Sequence, residues 1–96
     1  MSYTVQIKEQ VRAFQATLGL QSRRDLKRAI LRLSEEAGDT NALSDNLAGY
    51  YRLRVGQYRV IFRYLPGRIV DCVYLHERSL VYELFETEMA RILGQE

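Results

Sequence analysis

The sequence predicts an α+β domain with the element order β-α-α-β-β-β-α, a small antiparallel sheet with its helices packed on one face. Three observations predict it. Residues 50–55 and 58–64 alternate apolar and polar side chains at strand period, and Gly56-Gln57 between them places glycine first, as a type II′ hairpin turn requires. Apolar residues at helical spacing precede this hairpin in two segments and follow it in one. The 96 residues are 47% hydrophobic and 27% charged, which suits a single folded domain spanning 1–96 and is too apolar for intrinsic disorder.

Taken in order, Tyr3, Val5 and Ile7 alternate with polar residues and predict a first strand. Val11, Phe14 and Leu18 recur at helical spacing, with Gly19 as the stop. Ser22 then caps a second helix whose inner stripe is Leu26, Ala29, Ile30 and Leu33 and whose outer face carries Arg24, Lys27, Arg28 and Arg32. Gly38 closes it, and residues 39–46 read as a loop anchored by Leu43. Pro66-Gly67 supplies a second tight turn between strands at 58–64 and 68–76. A last helix starts near Ser79, with Val81, Leu84, Phe85, Met89 and Ile92 on one side and Glu83 and Glu86 near its positive end. The first strand is expected to pair beside residues 50–55 or 58–64.

With two-residue turns at both hairpins, Leu53, Val55, Tyr58, Val60, Phe62, Tyr64, Ile69, Val73 and Leu75 share the apolar face. Arg52, Arg54, Arg59, Ile61, Arg63, Val70, Cys72, Tyr74 and His76 share the other. Arg54 then opposes Arg59, Arg59 opposes Tyr74, and His76 lies diagonal to Arg59. Opposed like charges weaken a ladder by up to ~1 kcal/mol, so a sheet that keeps them has use for an anion between them.

Composition narrows the chemistry. The single cysteine, Cys72, allows no internal disulfide and no cysteine metal site; it reads as a small core residue in a reducing, cytoplasmic setting. Neither a signal peptide nor a stretch of the roughly 20 apolar residues that span a bilayer is visible, so no membrane role is expected. Net charge is only +2, yet residues 48–78 carry six basic and two acidic groups, while residues 79–96 carry one and four. Twelve of the fourteen basic residues are Arg, which favours bidentate recognition of phosphate.

Two arginines, a histidine and tyrosines suit RNA cleavage without a metal or other cofactor. The 2′-hydroxyl is an internal nucleophile, so a protein need only deprotonate it, stabilise the pentavalent phosphate and protonate the leaving 5′ oxygen. Arginine stabilises charge but cannot be the base, which leaves His76 as the side chain that ordinarily titrates near neutrality. Glu83 is placed to orient His76 or to act as a base, and Tyr74 or Tyr82 to stack on a base.

The run Leu47-x-Gly-x-Tyr-Arg-Leu-Arg-Val-Gly-x-Tyr-Arg-Val-Ile-Phe, followed by a strand, His76-Glu-Arg-Ser-Leu-Val-Tyr82 and a helix, resembles the RelE/ParE superfamily of bacterial toxins over nearly the whole chain. The resemblance implies a toxin of a type II toxin-antitoxin system. RelE-type members cut ribosome-bound messenger RNA and so inhibit translation; ParE-type members act on DNA gyrase and lack the nuclease residues. It further implies a cognate antitoxin partner, contact with ribosome and messenger RNA, and contact with DNA only through the antitoxin complex. Arg59 matches the arginine at the scissile phosphate and Tyr82 a tyrosine near the end. His76 stands where RelE has a second arginine, and Arg52 and Arg54 where it has lysines, one of them linked to proton transfer.

The catalytic candidates are therefore Arg54, Arg59, His76 and Tyr82. Arg52, Arg63, Tyr74 and Arg78 are candidate RNA contacts, and the outer face of the second helix, Arg24, Lys27 and Arg28, is a candidate for docking to ribosomal RNA by phosphate attraction. Each has a plainer reading: a solvated sheet face for the arginines, a strand-end histidine, a packing tyrosine, a solvated helix. A member that only binds its antitoxin is the third possibility.

Overall fold

The computed structural model describes residues 2–94. β1 (Thr4–Ile7) leads into a helical hairpin, α1 (Glu9–Ala16) and α2 (Leu20–Leu31), and a 3₁₀ turn at Arg32–Glu35. A short strand β2 (Thr40–Ala42), a second 3₁₀ turn at Asp45–Leu47, and strands β3 (Tyr51–Val55), β4 (Tyr58–Leu65) and β5 (Ile69–Glu77) precede α3 (Val81–Gly94). The strand order is β1-β5-β4-β3-β2.

The α+β class and the order of the expected elements hold, while β2 arises inside the expected loop and pairs at the outer edge of β3. That edge is thus filled. β1 instead runs parallel to β5, correcting the expected pairing beside β3 or β4 and making the sheet mixed. The reason lies in β5, where Val70, Asp71 and Cys72 are all fully buried, the signature of a strand with neighbours on both sides. α2 begins at Leu20 with Gly19 as its N-cap residue, three residues before the expected cap Ser22.

Helices cover both faces, not one. α1 and α2 pack Val11, Leu26, Ile30 and Leu33 against Leu53, Val60, Phe62, Val70, Cys72 and Leu75. α3 packs Val81 and Phe85 on the arginine face, against Ile61 and Leu47 with Val73 and Tyr74 beside them. An apolar patch at the centre of that face needs a cover, and the last helix supplies it.

The first turn is as expected: Val55 pairs with Tyr58 and Arg54 with Arg59, with Gly56 at φ 58°. The second is one residue longer. Leu65 pairs with Ile69 around Pro66-Gly67-Arg68, whose last two residues have φ of 88° and 58°. The added residue inverts the start of β5: Val70 and Cys72 turn into the core and Asp71 onto the arginine face, opposite Arg63. A bulge opposite Ile61 and Phe62 then absorbs Val73 and restores the alternation, so Leu75 is in the core, Tyr74 faces Ile61 and His76 faces Arg59. The expected Arg59–Tyr74 pair is therefore replaced by Arg59–His76.

Candidate functional site

The β3–β4 hairpin positions the centre of the site. Its two-residue turn leaves the carbonyls of Gly56 and Tyr58 converging on one side, and Arg59 Nη1 donates to both, at 2.9 and 2.8 Å. Arg59 is only 8% exposed, so its guanidinium is fixed and largely stripped of water. Burial, then the charge of Arg54, holds its pKa below the ordinary value; Tyr82 opposes this, and Arg52 and Arg78 add to it. These causes place Arg54, Arg52, Arg78 and Tyr82 around Arg59. Arg78 is brought there by its backbone N–H, which donates to Gln57 O at 2.8 Å and ties the end of β5 to the hairpin turn.

Among the described residues, no carboxylate lies within ion-pairing distance of Arg54, Arg59 or Arg78. Arg52 differs, with Nη1 buried, without a hydrogen bond, and 3.7 Å from Asp39 Oδ1. The arrangement is a positive cluster around one fixed guanidinium, suited to a phosphate or to developing charge on one.

Other expected members lie elsewhere. Arg63 Nε is held 3.1 Å from Asp71 Oδ2, toward the β1 side of the sheet. Tyr74 packs against Phe85 of α3, ring centroids 5.6 Å apart, and burial, then Glu88, raises its hydroxyl pKa. Arg24, Lys27 and Arg28 are exposed on α2, which covers the opposite face from α3. Arg59, by contrast, is on the face that α3 covers.

His76 is the Cα partner of Arg59, but its ring leans over the open edge of β5 onto Phe14, centroids 4.6 Å apart. The Glu77 backbone N–H donates to its Nδ1 at 2.9 Å. Sequence reasoning missed Phe14 as its seat. It also missed Asp71, fully buried, which accepts from Gln6 Nε2 at 3.0 Å and Arg63 Nε and has Lys8 Nζ at 3.8 Å. The available signal was a lone acid inside the apolar run Ile69-Val-Asp-Cys-Val73.

Two further concerns are chemical. Burial, with Asp71 adding, pushes the Cys72 thiol up to about 12, which keeps it protonated and unreactive near neutrality. Among the described residues, no three His, Cys, Asp or Glu side chains group to hold a metal ion, and no helix is long and apolar enough to cross a membrane.

No protein-family model matches the sequence, and no curated protein matches it. Solved structures do. A chain of the toxin-antitoxin complex RelBE2 from Mycobacterium tuberculosis superposes with a TM-score of 0.72 at 23% identity, covering 81% of this chain and 100% of that one. The E. coli toxin RelE, a mutant in the free state, gives 0.70 at 19% identity over 96% of this chain and 99% of that one. A chain of the archaeal RelE-RelB complex from Pyrococcus horikoshii gives 0.62 at 29% identity, over 81% and 97%. All three share this chain's fold, and the archaeal structure shares more than a quarter of its aligned residues over nearly its full length, so the chain has the RelE-like fold.

Proposed function

We propose that this chain is the toxin of a type II toxin-antitoxin system, a metal-independent endoribonuclease that cuts ribosome-bound messenger RNA by attack of a 2′-hydroxyl on the adjacent phosphate. The observation that carries this reading is Arg59, nearly buried, flanked by Arg54 and Arg78, with no carboxylate among the described residues to neutralise the three. Such a cluster costs stability unless an anion completes it. Arg54 and Arg59 bind the scissile phosphate and stabilise its added charge, Tyr82 positions the nucleotide, and His76 is the acid-base candidate. The exposed Arg24, Lys27 and Arg28 dock to ribosomal RNA.

A cognate antitoxin is the proposed protein partner, by analogy with the RelBE2 and archaeal RelE-RelB complexes. A groove of about 560 Å³ under α3, lined by Tyr50, Val73, Tyr74, Phe85, Met89 and Ile92, supports a partner of this kind.

Induced expression is expected to arrest growth, and purified protein to give codon-positioned cuts in a cell-free translation reaction. Arg59→Ala should slow single-turnover cleavage by about tenfold or more, the cost of losing one charge stabiliser in a preorganised site. Intact messages would refute the nuclease reading. One observation favours a ParE-like alternative that binds gyrase without RNA chemistry: the His76 ring is engaged with Phe14 and its own backbone, not with Arg59. Inhibition of gyrase supercoiling with messages left intact would establish that alternative.

A further inference from the structure

We infer that Asp39 is the internal counter-ion of Arg52, a carboxylate that holds this arginine in the free protein and yields it to an RNA phosphate next to the scissile one. This rests on the ribonuclease reading above and adds to it a residue that sets how tightly the RNA is held.

The backbone brings Asp39 to the arginine face. Gly38 has φ of 125°, and a Cβ there would stand 3.0 Å from Leu53 Cδ1, a conformation and a clearance that suit glycine where the chain passes close over β3. The next residue is then fixed. Asp39 O accepts from the Arg54 N–H at 2.9 Å, which extends the β2–β3 ladder one pair beyond Thr40–Leu53 and sets Asp39 across from Arg54. Cross-strand partners share a face, so the Asp39 side chain lies with those of Arg52 and Arg54. Its carboxylate engages the diagonal neighbour. Asp39 Oδ1 is 3.7 Å from Arg52 Nη1, whereas Arg54 makes no ion pair among the described residues.

The two partners are unequal. Arg52 Nη1 is buried without a hydrogen bond, so the guanidinium has given up water there with no bond in return. The Arg52 side chain is 21% exposed and that of Asp39 58%. A carboxylate that wet loses little by letting go, while the guanidinium gains from an anion that meets it at hydrogen-bond distance. A phosphate is such an anion. Arg52 and Arg54 are two residues apart on one strand face, about 6.6 Å along it, close to the spacing of consecutive phosphates on an extended RNA strand. With Arg54 and Arg59 on the scissile phosphate, Arg52 meets the next one. Among the described residues Asp39 is the one carboxylate within ion-pairing distance of Arg52, Arg54, Arg59 or Arg78, so its charge acts on the cluster through a single arginine.

A short single-stranded RNA with methylated 2′-hydroxyls cannot be cut by 2′-hydroxyl attack, and fluorescence anisotropy reads its affinity for the intact protein. At low salt Asp39→Asn should tighten binding about threefold to tenfold, a gain that fades in about 0.5 M salt. Arg52→Gln should weaken binding, and Asp39→Asn added to Arg52→Gln should bring no further change. On ribosome-bound message, Asp39→Asn should act on KM, lowering it, rather than on kcat, because Arg52 holds substrate and transition state alike. Equal affinities for the parent protein and Asp39→Asn, the same gain in the Arg52→Gln background, or a parent that binds no such RNA would overturn the counter-ion role, with message cleavage deciding the nuclease reading separately. The expected binding pattern in a protein that cuts no message would remove the nuclease reading and leave Asp39 as the counter-ion of an RNA-binding arginine.

Discussion

Arg54→Gln should stabilise this protein while weakening its hold on phosphate. Arg54 and Arg59 are direct cross-strand partners, and like charges so placed cost a ladder about 0.2–1 kcal/mol. Arg54 is exposed and makes no side-chain hydrogen bond or ion pair among the described residues, so the substitution removes repulsion and breaks nothing. A gain of about 0.5 kcal/mol in a domain of this size raises Tm by about 2–4 °C. Arg59→Gln should move the other way. It deletes the two hydrogen bonds from Nη1 to Gly56 O and Tyr58 O and leaves turn carbonyls short of a donor, a loss of about 1–3 kcal/mol. Thermal unfolding at low ionic strength measures both. In about 0.5 M salt the Arg54→Gln gain should vanish, because an exposed charge pair is screened there while the Arg59 hydrogen bonds are not. Added inorganic phosphate should raise Tm more in the parent protein than in Arg54→Gln, through preferential binding to the folded state. A fall in Tm for Arg54→Gln, or a gain that persists in high salt, would refute electrostatic opposition as the property this hairpin preserves.

Two other substitutions test what lies around the site. Asp71→Ala should cost about 2–3 kcal/mol, seen as a lowered urea midpoint, since it strips a fully buried carboxylate from Gln6 and Arg63; Arg63 and Lys8 reach water and limit the loss. A midpoint unchanged within error would mean the network carries no stability. Cys72 predicts a decline in stability from about pH 9 to about 12, because the unfolded thiol ionises near its ordinary 9.0 while the folded one is held up to about 12. The unfolded state then binds fewer protons, so stability falls as pH rises. Cys72→Val should flatten that slope in denaturant titrations, and an identical slope in both proteins would contradict the buried-thiol account.

What the sequence determined by itself is local. Gly56-Gln57 dictated the first turn and with it the Arg54–Arg59 opposition, because a two-residue loop with glycine at positive φ allows one register. Alternation and helical spacing likewise specified β3, β4, α1 and the inner stripe of α2, since both periods follow from backbone geometry within a few residues. The motif through this hairpin was enough to point to the RelE-like fold. Tertiary structure decided the rest. One extra residue at Arg68 and one bulged residue at Val73 invert the alternation and then restore it, a compensation that no periodicity within β5 reveals. Whether β1 pairs with β5, and whether α3 covers the arginine face, depends on which apolar surface remains open once distant segments have met. His76 shows the difference most directly: its place opposite Arg59 is a matter of register, but its ring rests against a phenylalanine 62 positions earlier, on a helix anchored to the end of β5 by Gln10.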